Sequence, residues 1–404
     1  MHCNPVKGSG MATIFSRERF GSYVLIAPLL VFMIAVFLVP LGMVMWRSFS
    51  DTELITALPE TAAVLDQWDG INLPPEAAFD TLADEIKNVA PARLASLSRR
   101  LSYENPSARE LLTGTKRKIG DAAPGSGRER LAATDKRWEE PSTWQVMKRA
   151  SGPVNSYHIL SALDLKRDYG NGIVQARPEG GIYRDVMMRT FSIAAITTIV
   201  CIILAFPLCA FLAGRSDRTR NFLLIIVLLP FWTSILVRTT AWIVLLQDRG
   251  VINLVLQNLG IIDQPLGLLF TRTGVIIAMV HVMLPFLIFP LLGSMRAVDP
   301  RLMRAAASLG ARPLYAFFRV YLPQVVPGLM AGAMLVFIIT IGFYITPALL
   351  GGPGDQMVGY YISMFTTATL NWGLASSLGL FLLIITAVLF TLQRRFSRGG
   401  INLG

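Results

Sequence analysis

Six blocks of nearly uninterrupted apolar residues divide this chain, at approximately 23–46, 190–214, 221–246, 274–293, 326–350 and 374–393. Each is long enough to cross a hydrocarbon layer of about 30 Å, which takes roughly 20 helical residues. In lipid the backbone must satisfy its own polar groups, and runs this long do so as helices. The pattern predicts an all-α integral membrane protein with six transmembrane helices. It divides the chain into a tail (1–22), helix one (23–46), an insertion (47–188), a core with helices two to six (189–398) and a last tail (399–404).

Between the blocks the pattern changes. In the insertion, "PPEAAFDTLADEIKNVAPARLASLSRRL" places Ala78, Leu82, Ile86 and Val89 at helical spacing. "SARELLTGTKRKIG" and "STWQVMKRA" also read as helices, whereas "GDAAPGSGRER" (120–130) reads as a turn or linker. No chemistry stands out there, which favours a passive lid or a poorly ordered insert over a domain that touches a partner. Between blocks four and five, in loop 294–325, lies "MRAAASLGARPLYAFFRVYLP" (303–323). Asp299 is a good N-cap, Pro300 suits the first helical position, and 301–309 is rich in helix formers. Gly310 is placed to end that helix in a left-handed turn, and Pro313 to start another. A small face at Ala305, Ala306, Ala307 and Ser308, with Phe317, Phe318 and Tyr321 as anchors, would suit a groove on another protein. The alternative is a hairpin that packs only on its own spans.

Composition agrees with the membrane reading: 404 residues, 53% hydrophobic, with a mean hydropathy of +0.52. The first block is expected to be a retained signal anchor, because its apolar core is too long for a signal peptide and lacks a small-residue cleavage site. The three cysteines, Cys3, Cys201 and Cys209, suggest neither a disulfide framework nor a metal cluster. The net charge is +11, yet 51–180 holds 17 Lys/Arg against 19 Asp/Glu. The bases therefore concentrate beside the spans, which points to membrane topology rather than to nucleic acid. Lys7, Arg17 and Arg19, then Arg215, Arg218 and Arg220, then Arg296, Arg301, Arg304, Arg312 and Arg319, and finally "QRRFSRGG" share one side if six spans cross. That side is predicted to be the cytoplasm, with both termini in it and 51–188 outside.

The loop resembles the signature loop of ABC importer permeases: Glu-Ala-Ala, three residues, Gly, nine residues, Ile-x-Leu-Pro. Here it reads Arg304-Ala305-Ala306, Gly310 and Val320-Tyr321-Leu322-Pro323. "LLPFWTSILVRTTAWIVLLQDRGVINLVLQNLGII" (228–262), "LPFLIFPLLGSM" (284–295), "ITPALLGGPGDQMVG" (345–359) and "NWGLASSLG" (371–379) resemble permease subunits of the spermidine/putrescine type. The likeness spans nearly all of 20–46 and 185–398 and does not extend to the insertion. It implies the type I ABC importer permease fold in a bacterial inner membrane, without a cofactor. It also implies three protein partners: a cytoplasmic ATP-binding subunit, a second permease (a paralogue) and a periplasmic solute-binding protein. The ATPase would hold the loop through Arg304, Ala305, Ala306, Ala307, Ser308, Gly310, Phe317 and Pro323. Arg304 stands where the family has Glu, so any salt bridge of that Glu cannot form here.

Polar residues inside spans default to functional candidates. Thr233, Ser234, Thr239, Trp242 and Tyr344 are the expected wall of a substrate path, with Arg238, Thr240 and His281 near them. Ser and Thr often bond only their own helix, and Arg238 can extend toward an interface. No Asp or Glu lies within any apolar block, so a tight site for a polycation is not expected. Cation–π contacts from Trp232, Trp242 and Tyr344 remain, and Asp248, Asp263 and Asp355 lie in the outer loops, where solvated loop charge is expected ahead of contacts with a delivering protein or the emerging cation. "LLGGPGD" (349–355) lacks the Gly-Lys-Ser/Thr ending of a phosphate loop. No catalytic constellation or metal site is visible. Two other classes stay open: an ion-coupled transporter, disfavoured by the missing acids, and a membrane sensor, disfavoured by the short tail after 393.

Overall fold

The computed structural model describes residues 26–121, 124–170, 172–176 and 181–399, with side chains to residue 393. The basic residues of the N-terminal tail and the start of the first apolar block lie outside the described residues. The chain divides into two compact units: one runs to residue 68 and includes 73–156, the other comprises 69–72 and 157 onward.

The first unit begins with α1 (Ile26–Arg47), an apolar helix whose side chains are exposed almost throughout. Seven short helices follow: α2 (Glu53–Ala57), α3 (Pro59–Gln67), α4 (Glu76–Asn88), α5 (Pro91–Ser102), α6 (Ala108–Lys118), α7 (Gly127–Thr134) and α8 (Pro141–Arg149). In α4 the apolar stripe Ala78, Leu82 and Ile86 is fully buried, as an amphipathic helix requires. The expected single helix ends at Asn88, because Ala90 precedes Pro91 and must be extended. The expected linker 120–130 is helical from Gly127. Ser126 accepts from the Glu129 amide at 3.3 Å, and Glu129 accepts from the Ser126 amide at 3.2 Å, a reciprocal cap.

The seven helices enclose a core rather than a loose insert. Trp138 and Trp144 are buried beside Phe79, with the Phe79 and Trp144 rings 4.6 Å apart. Both indoles find acceptors: Trp138 Nε1 donates to Thr115 Oγ1 and Trp144 Nε1 to the Trp138 carbonyl, each at 2.8 Å. The two ends of the insertion are clasped. Asn155 N donates to the Phe49 carbonyl at 2.9 Å and Asp51 N to that of Pro153 at 3.2 Å. Behind the clasp, buried Arg100 bonds Asp51 at 2.6 Å and Glu104 at 2.9 Å, and Arg149 bonds Glu104 at 2.5 Å.

The second unit opens with α9 (Tyr157–Ala162) and a small antiparallel pair, β1 (Leu165–Asp168) and β2 (Gly172–Gln175), registered Leu165 opposite Gln175. The membrane helices are α10 (Ile182–Ala213), α11 (Asp217–Leu228), α12 (Ile235–Leu246), α14 (Arg272–Ala297), α16 (Pro313–Gly342) and α19 (Trp372–Gly399). Short helices join them: α13 (Val251–Asn258), α15 (Pro300–Ser308), α17 (Ile345–Leu350) and α18 (Val358–Thr367).

Side-chain contacts fix the helix directions. Cys201 Sγ donates to the Val280 carbonyl at 3.8 Å and Cys209 Sγ to that of Ile288 at 3.7 Å, eight residues further along both helices. α10 and α14 therefore run parallel. Ser294 Oγ donates to the Val325 carbonyl at 3.3 Å, and Gly332 lies against Leu287, so α16 runs antiparallel to α14. Gln393 reaches the Met330 carbonyl at 3.2 Å, which brings the last third of α19 beside the middle of α16. Two parallel spans need one crossing between them. The bent pair α11–α12 is long and apolar enough to supply it; counted as one span, and with α1, it makes six segments among the described residues that are long and apolar enough to cross.

That crossing is not the continuous helix expected over 221–246. Pro230 stops α11 by removing an amide donor, and a tight turn at Leu229–Trp232 follows. Ser234 is extended, and the segments on either side meet at 97°. Small residues let the spans close up elsewhere. A Cβ on Gly332 would lie 2.7 Å from Leu287, so only glycine allows α16 this near to α14.

Candidate functional site

The end of the membrane unit that carries α15 is the basic one. α15 forms as its local chemistry dictates: Asp299 Oδ1 accepts from the Arg301 amide at 2.8 Å, a cap worth about 1 kcal/mol, with Pro300 at the first position. It closes with two crossed bonds, Ala311 N to the Ala306 carbonyl and Gly310 N to that of Ala307, each at 3.0 Å. This closure needs a left-handed residue, and Gly310 has φ +79°. Arg312 is extended before Pro313, where α16 begins. α16 widens over Phe317–Tyr321, where Leu322 N bonds the Phe317 carbonyl just ahead of Pro323, easing the ring past the preceding turn.

Arg304, Ala305, Ala307 and Ser308 are exposed, Ala306 is half-buried, and Ser308 Oγ turns back to the Arg304 carbonyl at 3.0 Å. Among the described residues Arg304 has no salt bridge. Phe317 departs from the outward role expected of it. Its ring packs on Phe206 of α10 at 6.2 Å and stacks on Tyr321 at 5.6 Å, so it anchors the hairpin to its own spans. The exposed apolar residues are instead Leu309 (88%), Leu314 (74%), Tyr315 and Phe318. Leu309 and Leu314 flank the Gly310 turn, which is the signal that could have found them. Asp217, at the same end, bonds Arg220 and lies 3.8 Å from Arg296.

The expected path residues gather only in part, around two breaks. α12 starts after Ser234. α17 starts after Phe343 and Tyr344, which interrupt the fifth span. Beyond the breaks the half-helices touch: buried Thr239 Oγ1 lies 3.2 Å from Thr346 Oγ1 while also bonding its own helix at Ile235. Trp242 Nε1 donates to His281 Nδ1 at 3.1 Å, so that nitrogen is the acceptor of a neutral imidazole. Thr233 and Ser234 are exposed at the first break, with Thr233 Oγ1 on the Pro230 carbonyl at 2.7 Å. Tyr344 is exposed at the second. Thr346 was not expected here. Asp355 is not the solvated loop acid expected either: it is buried and bonded to Arg272 at 3.0 Å. Among the described residues no cluster of metal-ligating side chains forms. The breaks offer hydroxyls, aromatic faces and open backbone, which suit passage of a polar solute rather than covalent chemistry.

A protein-family model described as binding-protein-dependent transport system inner membrane component matches residues 172–399, leaving the helical insertion outside. The chain is 32% identical over 217 residues to the spermidine/putrescine transport system permease protein PotB of Escherichia coli (strain K12), covering 54% of this chain and 79% of that protein. It is 34% identical over 217 residues to PotB of Haemophilus influenzae, covering 54% of this chain and 76% of that one. The inner membrane ABC transporter permease protein YdcU of Escherichia coli is 33% identical over 225 residues, covering 52% of this chain and 71% of the relative. Since the family match runs unbroken through all the core spans, the chain belongs to the binding-protein-dependent transport system inner membrane component family, as a multi-pass permease subunit of an ABC importer.

Proposed function

We propose that this permease carries a polyamine of the spermidine or putrescine class into the cytoplasm. A separate ATP-binding subunit hydrolyses the nucleotide and holds residues 299–323. The basic end of the unit faces the cytoplasm with both termini, and the insertion faces the periplasm. A periplasmic solute-binding protein delivers the solute, and a second permease, a paralogue, completes the path.

One observation carries this reading: a capped, closed hairpin at the basic end of the membrane unit, with Leu309, Leu314, Tyr315 and Phe318 exposed on it. Arg304, Ala305, Ala306, Ala307 and Ser308 form the docking helix, and Gly310 fixes its angle to α16. Phe317 and Pro323 set the root of the hairpin. A push on α15 passes through the rigid Gly310 closure into α16, and from α16 to α14 where Gly332 meets Leu287. The spans then tilt as a body, which alternates access at the two breaks. Thr233, Ser234, Thr239, Trp242 and Tyr344 line the path. Without carboxylates the path binds a polycation weakly, so capture falls to the binding protein. The polyamine assignment rests on the names of the relatives at 32–34% identity.

The test is Gly310→Pro. Proline fixes φ near −65° and removes the amide that bonds Ala307. ATP-dependent spermidine uptake by the reconstituted complex should fall about tenfold or more, the effect of losing about 1.4 kcal/mol of coupling. Co-purification of the ATPase should fall with it, while membrane insertion stays normal. Unchanged uptake would refute the coupling role.

A further inference from the structure

Arg238 is a cationic side chain in the path region that the proposed transport cycle does not use. Its depth follows from its neighbours. Phe231 packs against Phe286 with ring centres 5.6 Å apart, and Trp242 bonds His281. Those partners are the fourteenth and ninth residues after Arg272 in the 26-residue α14. At 1.5 Å per residue they lie roughly 21 and 14 Å below the outer end of a helix about 39 Å long. Arg238, between Phe231 and Trp242, therefore sits at mid-membrane depth.

Nothing described in this chain neutralises it. Arg238 Nε is buried and makes no hydrogen bond. From 181 to 399 the acids are Asp185, Asp217, Asp248, Asp263, Asp299 and Asp355, all at helix ends or in loops. Asp217, Asp299 and Asp355 are already engaged, the second by the Arg301 amide. The backbone one turn earlier is also open. Ser234 caps α12 with no side-chain bond, and Thr233 turns its hydroxyl to Pro230. Non-helical backbone and a bare guanidinium at this depth occur against protein or water, not against acyl chains. Yet Trp232, Leu236 and Val237, around the break, are exposed.

We propose that Arg238 is half of an ion pair across the permease–permease interface, its carboxylate supplied by an Asp or Glu within a span of the second permease chain. The proposal rests on the ABC importer reading above. A second copy of this chain brings another Arg238 and no carboxylate at this depth, so the partner is a different chain. Acyl chains offer no acceptor. The proposed cargo is itself cationic and would be repelled by a free guanidinium, whereas a paired one leaves the path neutral. The guanidinium fork matches a carboxylate in bidentate geometry, which also fixes how the two chains register.

The full complex, expressed with its own partner subunits, provides the test. Arg238→Met should reduce both recovery of the second permease on this chain and spermidine uptake by about tenfold. Arg238→Glu should fail likewise, and exchanging one intramembrane acid of the partner for Arg should restore both. Arg238→Cys should form a disulfide with a cysteine replacing that same acid. Wild-type assembly and uptake in Arg238→Met would overturn the ion pair, as would disulfide formation between two copies of the Arg238→Cys chain. If the wild-type chain recovers neither a second permease nor an ATPase, the importer reading fails instead, and the pair with it.

Discussion

The insertion and the membrane unit solve the same packing problem in opposite ways. The insertion puts its largest side chains inside: Trp138, Trp144 and Phe79 fill the core, and charged Arg100 and Asp51 are buried as partners. The membrane unit buries Met283, Leu287 and Leu291 together with small residues at helix contacts, Cys201, Ala205, Ala278 and Gly332, and turns Ile203, Leu204 and Phe211 outward. Water makes burial of apolar area the driving force in the first unit. Lipid removes that force in the second, where close backbone approach takes over. A buried charge is consequently tolerable in the insertion, where folding supplied its partner. In α12 the chain supplies none for Arg238, and the contrast is what directs attention to a second subunit.

Three substitutions sharpen or break this contrast. Trp144→Ala should cost the insertion about 3–5 kcal/mol. Limited proteolysis of the full chain should then cut within 53–149 while the membrane unit stays protected; equal sensitivity of both units would deny their independence. Gly332→Val should cost about 1–3 kcal/mol by overpacking. It should lower the melting temperature of the membrane unit in detergent, although valine would be harmless in a greasy interior without close contacts. Asp135→Asn should have the smallest effect. A side-chain hydrogen bond from Arg137 holds the Asp135 carboxyl below its usual range, with Arg137 and Lys118 charges adding to it. A lowered folded value means the stabilisation is present above about pH 4, the unfolded value, and is lost as pH falls through the folded one. The pair is near the surface and screened, so the acid limb of the stability curve should change by less than about 1 kcal/mol.

What could be read from the sequence was what local chemistry decides. Asp299, Pro300, Gly310 and Pro313 specify the hairpin without help from the rest of the chain, and the apolar blocks mark the segments long enough to cross. The break at Thr233–Ser234 was hidden because both halves of the span are equally apolar, and hydropathy carries no direction. Phe317 is expected as an outward anchor because its partner Phe206 lies 111 residues earlier in the chain. The widened turn over 317–321 and the contact with Phe206 on α10 give it an inward role. Asp355 looked solvated because its partner Arg272 lies 83 residues away. The order of the insertion is hidden for a similar reason: Trp144 lies 65 residues from Phe79 and meets it only when the helices fold together.

The side of the membrane occupied by the hairpin decides most about the proposed mechanism. An Ala307→Cys variant, made with Cys3→Ser, carries one exposed thiol among the described residues, since Cys201 and Cys209 are buried. A membrane-impermeant maleimide should label it in inside-out vesicles and leave it unmodified in intact spheroplasts, with labelling reduced when the ATPase is bound. Labelling from the outside of intact cells would contradict a cytoplasmic coupling hairpin.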